Sequence, residues 1–160
     1  MPNHRANRLR FRNPVIEVAI ASEPSSRDFN AGRLRRAVEL ILADANVAQA
    51  AICIAIVDDE TIQLLNRRYL QHDYPTDVLS FVLERDQDRL DGEIVVSADH
   101  ARRASRDYRW SDDNELLLYV IHGALHLVGY DDRDGDSRAE MRRRERHFLL
   151  ECGAEPPPDE

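Results

Sequence analysis

Ala50-Ala51-Ile52-Cys53-Ile54-Ala55-Ile56-Val57 is an unbroken apolar run, short and rich in isoleucine. Its length and its β-branched side chains mark a strand buried in a sheet. On its N-terminal side, Ala31 to Ala45 places Leu34, Ala37, Val38, Ile41 and Leu42 at helical spacing, and Val15 to Ala21 alternates as an earlier strand. On its C-terminal side, Asp58 or Asp59 caps a helix that runs to about Leu70. His72 to Asp77 follows as a loop, since Pro75 disfavours helix at the residue before it. Val78 to Leu83 and Gly92 to Ser97 read as adjacent strands around a charged turn, Arg85 to Asp91. A polar helix occupies Ser97 to Tyr108, and Ser111 to Asn114 opens a helix apolar on nearly every side. An arginine-rich helix begins at Asp136 or Ser137 and ends near Cys152. The order β-α-β-α-β-β-α-α-α gives one domain with a mixed, mostly parallel four-stranded sheet and packed helices.

Composition sets the limits around this fold. The chain has 160 residues, enough for one domain with a real core. No apolar run reaches the roughly 18 residues that a membrane span requires, so no membrane partner is expected. The arginine-rich start lacks the apolar stretch of a secretory signal. Cys53 and Cys152 form no C-x-x-C pattern, which excludes a disulfide framework and a zinc ribbon and makes the cytoplasm the expected compartment. Every basic residue is arginine and the net charge is −8. Four arginines and no acid lie in residues 1–13, expected to be a flexible basic arm, and 153–160 is expected to be a disordered tail beyond a domain at 14–152. An acidic core argues against nucleic-acid binding through bulk charge, though it leaves room for a local arginine-lined groove.

The chemistry lies in His122-Gly123-Ala124-Leu125-His126-Leu127-Val128-Gly129-Tyr130-Asp131-Asp132. Histidines four apart on a helix stack on one face and can meet one ion. Gly129 can end the helix and return the chain, so that Asp132 joins His122 and His126 as a third ligand. Three protein ligands leave a fourth position for water, as in catalytic zinc sites. The spacing is also that of metzincin proteases, but those carry glutamate directly after the first histidine as general base. Here that residue is Gly123, which cannot accept a proton. No other motif residue is an obvious general base, so a metal-bound water is the simplest nucleophile.

At these residues the chain resembles the bacterial YbeY endoribonucleases, whose motif is H-G-x-L-H-L-x-G-Y-D-H. Eight of its nine specified positions are unchanged here, and the last histidine is Asp132. A second family block, L-N-x-x-Y-R-x-x-D-x-P-T-D-V-L-S-F, is similar to Leu65 to Phe81, and a third, G-D-I-x-I-S, to Gly92 to Ser97. The resemblance implies an α+β fold, one zinc ion and hydrolysis of single-stranded RNA. It also implies a role in rRNA maturation at the 3′ end of 16S rRNA and in ribosome quality control, with the ribosome or its proteins as partners.

Two departures fall within the chemistry. With Asp132 as ligand, a divalent zinc keeps net charge +1, where three histidines would leave +2, and it becomes a weaker Lewis acid. Leu70 stands where the family has an arginine suited to phosphate. Arg67, one turn earlier, is the candidate substitute, with simple solvation as the alternative. Glu115 and Tyr119 share the face of His122, where both a bond to a ligand histidine and plain core packing are open. Thr76, Asp77 and Ser80 are open to a turn role or a substrate role. The rival functions are a ribosome-associated factor with weak or lost catalysis and a structural metal, and another metal-dependent hydrolase.

Overall fold

The structure, a computed structural model, describes residues 14–24 and 28–156. Its elements are β1 (Val15–Ser22), α1 (Ala31–Asp44), β2 (Gln49–Val57), α2 (Asp59–Leu70), β3 (Val78–Arg85), β4 (Arg89–Ser97), α3 (Ala98–Tyr108), α4 (Asp112–Leu127) and α5 (Gly135–Glu151). The strands form one sheet in the order β1-β2-β4-β3, with β1-β2 and β2-β4 parallel and β3-β4 antiparallel. This is the mixed, mostly parallel α+β sheet expected from the sequence.

Every helix starts at a side chain that accepts a hydrogen bond from the backbone three residues on. Asn30, Asp58, Ser97, Ser111 and Asp134 fill this role for α1 to α5. Each satisfies a backbone donor that the first helical turn leaves without a partner.

The charged turn proves shorter than expected. β4 starts at Arg89, and the connection is reduced to residues 86–88. Its early charges fit a strand because they alternate: Leu90 is fully buried, while Arg89 and Asp91 lie on the other face and pair at 3.0 Å. The β2 run also differs from a strand buried on both faces. Ile52, Ile54 and Ile56 point into the main core, whereas Ala51, Cys53 and Ala55 are half-buried. The reason is coverage. The main core packs against α1, α4 and α5, while the opposite face has a smaller cluster around Val57, Ile62, Leu79 and Val95 under α2.

Helix α4 runs through the centre of this architecture, and two glycines let it lie close to the sheet. A Cβ on Gly123 would sit 2.8 Å from Ile94 Cγ2 and 3.2 Å from Val78 Cγ2. Across the same interface, a Cβ on Gly92 would come within 3.0 Å of Leu127 Cδ1. Gly123→Ala sets two effects against each other. Helix propensity favours alanine by about 1 kcal/mol, whereas overpacking costs about 1–3 kcal/mol. Ile94 is fully buried and its Cγ2 is tied to a strand backbone, so overpacking wins. The urea midpoint of Gly123→Ala should fall, by about 1 kcal/mol in stability. A stabilised variant would show that the helix is free to shift.

The expected arm at 1–13 and residues 157–160 lie outside the described residues. Two residues assigned to the tail, Gly153 and Ala154, close α5. Ala154 is buried, and its N–H donates to the Leu149 carbonyl at 2.8 Å. No described helix is long and apolar enough to cross a membrane.

Candidate metal centre

His122 and His126 lie on the last turns of α4, where their spacing stacks the rings on one side of the helix. Their Nε2 atoms are 3.0 Å apart. The helix then ends in a Schellman motif. The Gly129 N–H donates to the His126 carbonyl at 3.1 Å and the Tyr130 N–H to the Leu125 carbonyl at 3.0 Å. Gly129 takes φ of +107°, a conformation open to glycine and strained for other residues. The chain therefore reverses, and Asp132 Oδ2 comes to 3.5 Å from Nε2 of both histidines.

Among the described residues, His122, His126 and Asp132 form the one group whose ligand atoms all lie within 4.8 Å of one another. A tetrahedral zinc with bonds of about 2.0–2.1 Å separates its ligands by about 3.3 Å. The observed separations bracket that value, and two imidazoles with a carboxylate are a donor set zinc accepts. The residues fit a single zinc ion.

The carboxylate behind the site is Glu145, on α5, which the sequence reasoning missed. Its Oε1 lies 2.7 Å from His122 Nδ1. With a proton held on Nδ1, the lone pair of Nε2 is directed at the metal position. Burial opposes a positive charge on the ring of His122, but Glu145, then Asp132 and Asp77, outweigh it and raise the His122 pKa above its usual value. These anions favour a positive charge at His122, whether proton or metal. Only a signal linking residues 23 apart could have revealed Glu145, and the local pattern held none. Glu115 instead accepts from Trp110 Nε1 at 2.6 Å, in the core. Tyr119 is buried near it, with its ring edge-on to His100.

A cleft of about 290 Å³ opens over the two histidines, walled by Leu70, Asp77, Ser80 and Gly123. Asp77 Oδ1 accepts from the Val78 N–H at 2.8 Å and from Thr76 Oγ1 at 3.2 Å, so this pair also builds the turn into β3. Leu70, at the family's arginine position, reaches the cleft. Arg67 is exposed on α2 and is not one of the lining residues. The arginine cluster of α5 is divided among local partners: Arg144 pairs with Asp44 and lies over Tyr130 and Phe148, and Arg143 pairs with Glu140.

Residues 19–153 match the sequence profile of the family described as endoribonuclease YbeY. The chain belongs to the YbeY family. A YbeY endoribonuclease of Rhodopirellula baltica is 45% identical over 126 residues, covering 72% of this chain and 65% of that protein. One from Chloroherpeton thalassium is 35% identical over 130 residues, covering 81% and 92%. In fold, the chain is similar to the solution structure of a Thermotoga maritima protein, with TM-score 0.58 and 24% identity, over 91% of this chain and all of that one. Within the YbeY pattern, the histidine pair is retained and Asp132 supplies the third converging donor.

Proposed function

We propose that this protein is a zinc-dependent endoribonuclease that cuts single-stranded RNA, chiefly rRNA, and serves rRNA maturation and ribosome quality control in the cytoplasm. Residues 14–152 carry the activity. The observation that carries this reading is the convergence of His122, His126 and Asp132 at the cleft of a YbeY chain. A zinc ion held there supplies Lewis-acid activation of the phosphodiester and of water. Glu145 keeps the tautomer and orientation of His122 fixed. Asp77 and Ser80 line the place where the scissile phosphate and its sugar enter. Arg67, outside the cleft, meets a flanking phosphate.

Purified protein should contain one zinc per chain and cut a single-stranded rRNA fragment while sparing its duplex. Chelation should abolish cleavage, and zinc should restore it. Leu70 in the cleft favours a second reading, a ribosome-associated factor with its catalysis lost. Zinc-loaded protein that leaves RNA intact would support that alternative.

A further inference from the structure

The segment that joins α2 to β3 exposes aromatic rings in an ordered setting. Gln71 ends α2 in the left-handed conformation, with φ of 60°, and its N–H turns back to the Arg67 and Asn66 carbonyls. Asn66 is buried and donates from Nδ2 to the Tyr74 carbonyl at 2.9 Å, while Gln63 Nε2 donates to Asp73 Oδ1 at 3.1 Å. The loop is thus tied to its helix by two side-chain bonds, and the His72 N–H adds a third to the Asn66 carbonyl at 3.3 Å. On it, the rings of His72 and Tyr74 stack nearly parallel, 5.4 Å apart at 13°, and the Tyr74 hydroxyl lies 3.2 Å from His72 Nδ1. The Tyr74 side chain is nevertheless half exposed, at 52%. Nearby on α2, Tyr69 is 57% exposed, with the Arg68 guanidinium 5.5 Å from its ring centre.

We infer that Tyr74, backed by His72, is a nucleobase-stacking subsite for single-stranded RNA beside the cleft. The inference rests on the ribonuclease reading above. Tyr74 precedes Asp77 by three residues, which span at most about 11 Å, and Asp77 begins the wall of the cleft. A nucleotide flanking the scissile phosphate is therefore within reach of the Tyr74 ring.

Three physical arguments select an RNA base as the occupant. The chain carries net charge −8, and Leu70 gives the cleft wall no cation, so attraction to phosphate contributes less than is usual for RNA binding. Stacking does not depend on that charge, and it accepts any base because each has a π face. A base in a duplex is already stacked between its neighbours, whereas a base in a single strand is free to lie on a tyrosine. The same contact thus supplies both affinity and preference for single strands. Because the loop is already ordered, little further conformational entropy is lost on binding.

The test is steady-state cleavage of a labelled single-stranded rRNA oligonucleotide by zinc-loaded wild type, Tyr74→Leu and Tyr74→Phe. Tyr74→Leu should raise KM roughly tenfold with kcat unchanged, and Tyr74→Phe should keep the wild-type KM. Flanking nucleotides are then made abasic one at a time. One position should raise the wild-type KM, and at that position Tyr74→Leu should cost nothing more. An unchanged KM in Tyr74→Leu, or an equal loss at every abasic position, would overturn the subsite while leaving the ribonuclease reading intact. Uncut RNA with zinc-loaded wild type would overturn both. Zinc content and circular dichroism equal to wild type show that the variant is folded.

Discussion

In the His126→Ala variant, zinc should be lost from the protein and RNA cleavage should fall by on the order of a thousandfold. The magnitude follows from what the site contributes. Lewis-acid activation of a phosphodiester is worth several kcal/mol, and each 1.4 kcal/mol is about a factor of ten in rate. Removing His126 leaves His122 and Asp132, two donors that cannot hold the ion in a three-ligand geometry. The fold should survive, because the His126 side chain faces the cleft while Leu125 and Leu127 on either side of it fill the core. Metal analysis, circular dichroism and cleavage on the same preparation check this. Full activity in metal-free, folded His126→Ala would show that the metal is not the source of cleavage, or that a contaminating nuclease is present.

Glu145→Ala is expected to weaken zinc binding by about 10–100-fold, with a matching loss of cleavage at limiting zinc. Glu145 does not belong to the ligand cluster. Its effect passes through His122 Nδ1, 2.7 Å away. Without that acceptor the ring can rotate or place its proton on Nε2, and it no longer presents a lone pair to the ion. Glu145→Gln offers a finer comparison. Its amide oxygen can still accept from Nδ1, so orientation is kept, but the negative charge that supports a cation at the ring is gone. Glu145→Gln should therefore fall between wild type and Glu145→Ala in zinc affinity. Saturating zinc should restore most of the cleavage lost in both variants, which separates a positioning residue from one that touches substrate. If zinc affinity in Glu145→Ala equals that of wild type, the bond to His122 has no role in holding the metal.

Most of the fold was legible along the chain because local physics governs it. Asp58 and Ser111 mark where α2 and α4 begin, and Gly129 marks the left-handed exit of α4, whereas α5 begins at Gly135 behind Asp134, ahead of the expected Asp136 or Ser137. The three converging donors were legible for the same reason. All lie within eleven residues joined by one helix and one turn, so helical spacing and a glycine suffice to place them. The charges of residues 85–91 mark a turn only at 86–88, because charge in a strand can alternate with a buried side chain. Arg89 and Asp91 are in fact strand residues whose side chains share the face opposite Leu90.

By itself, then, the sequence determined the elements, the direction of the central helix and the identity of the converging donors, since each depends on residues a few positions apart. Tertiary structure decided the rest. It brought Glu145 from α5 to His122, set Leu70 and Asp77 around the cleft, and gave Gly123 a steric task against Ile94. The bond of Glu145 to His122 and the tight contact of helix with sheet have one physical reason in common. Each is a relation between surfaces that meet only when the sheet and α5 close on α4, and no local periodicity encodes which residues such surfaces bring face to face.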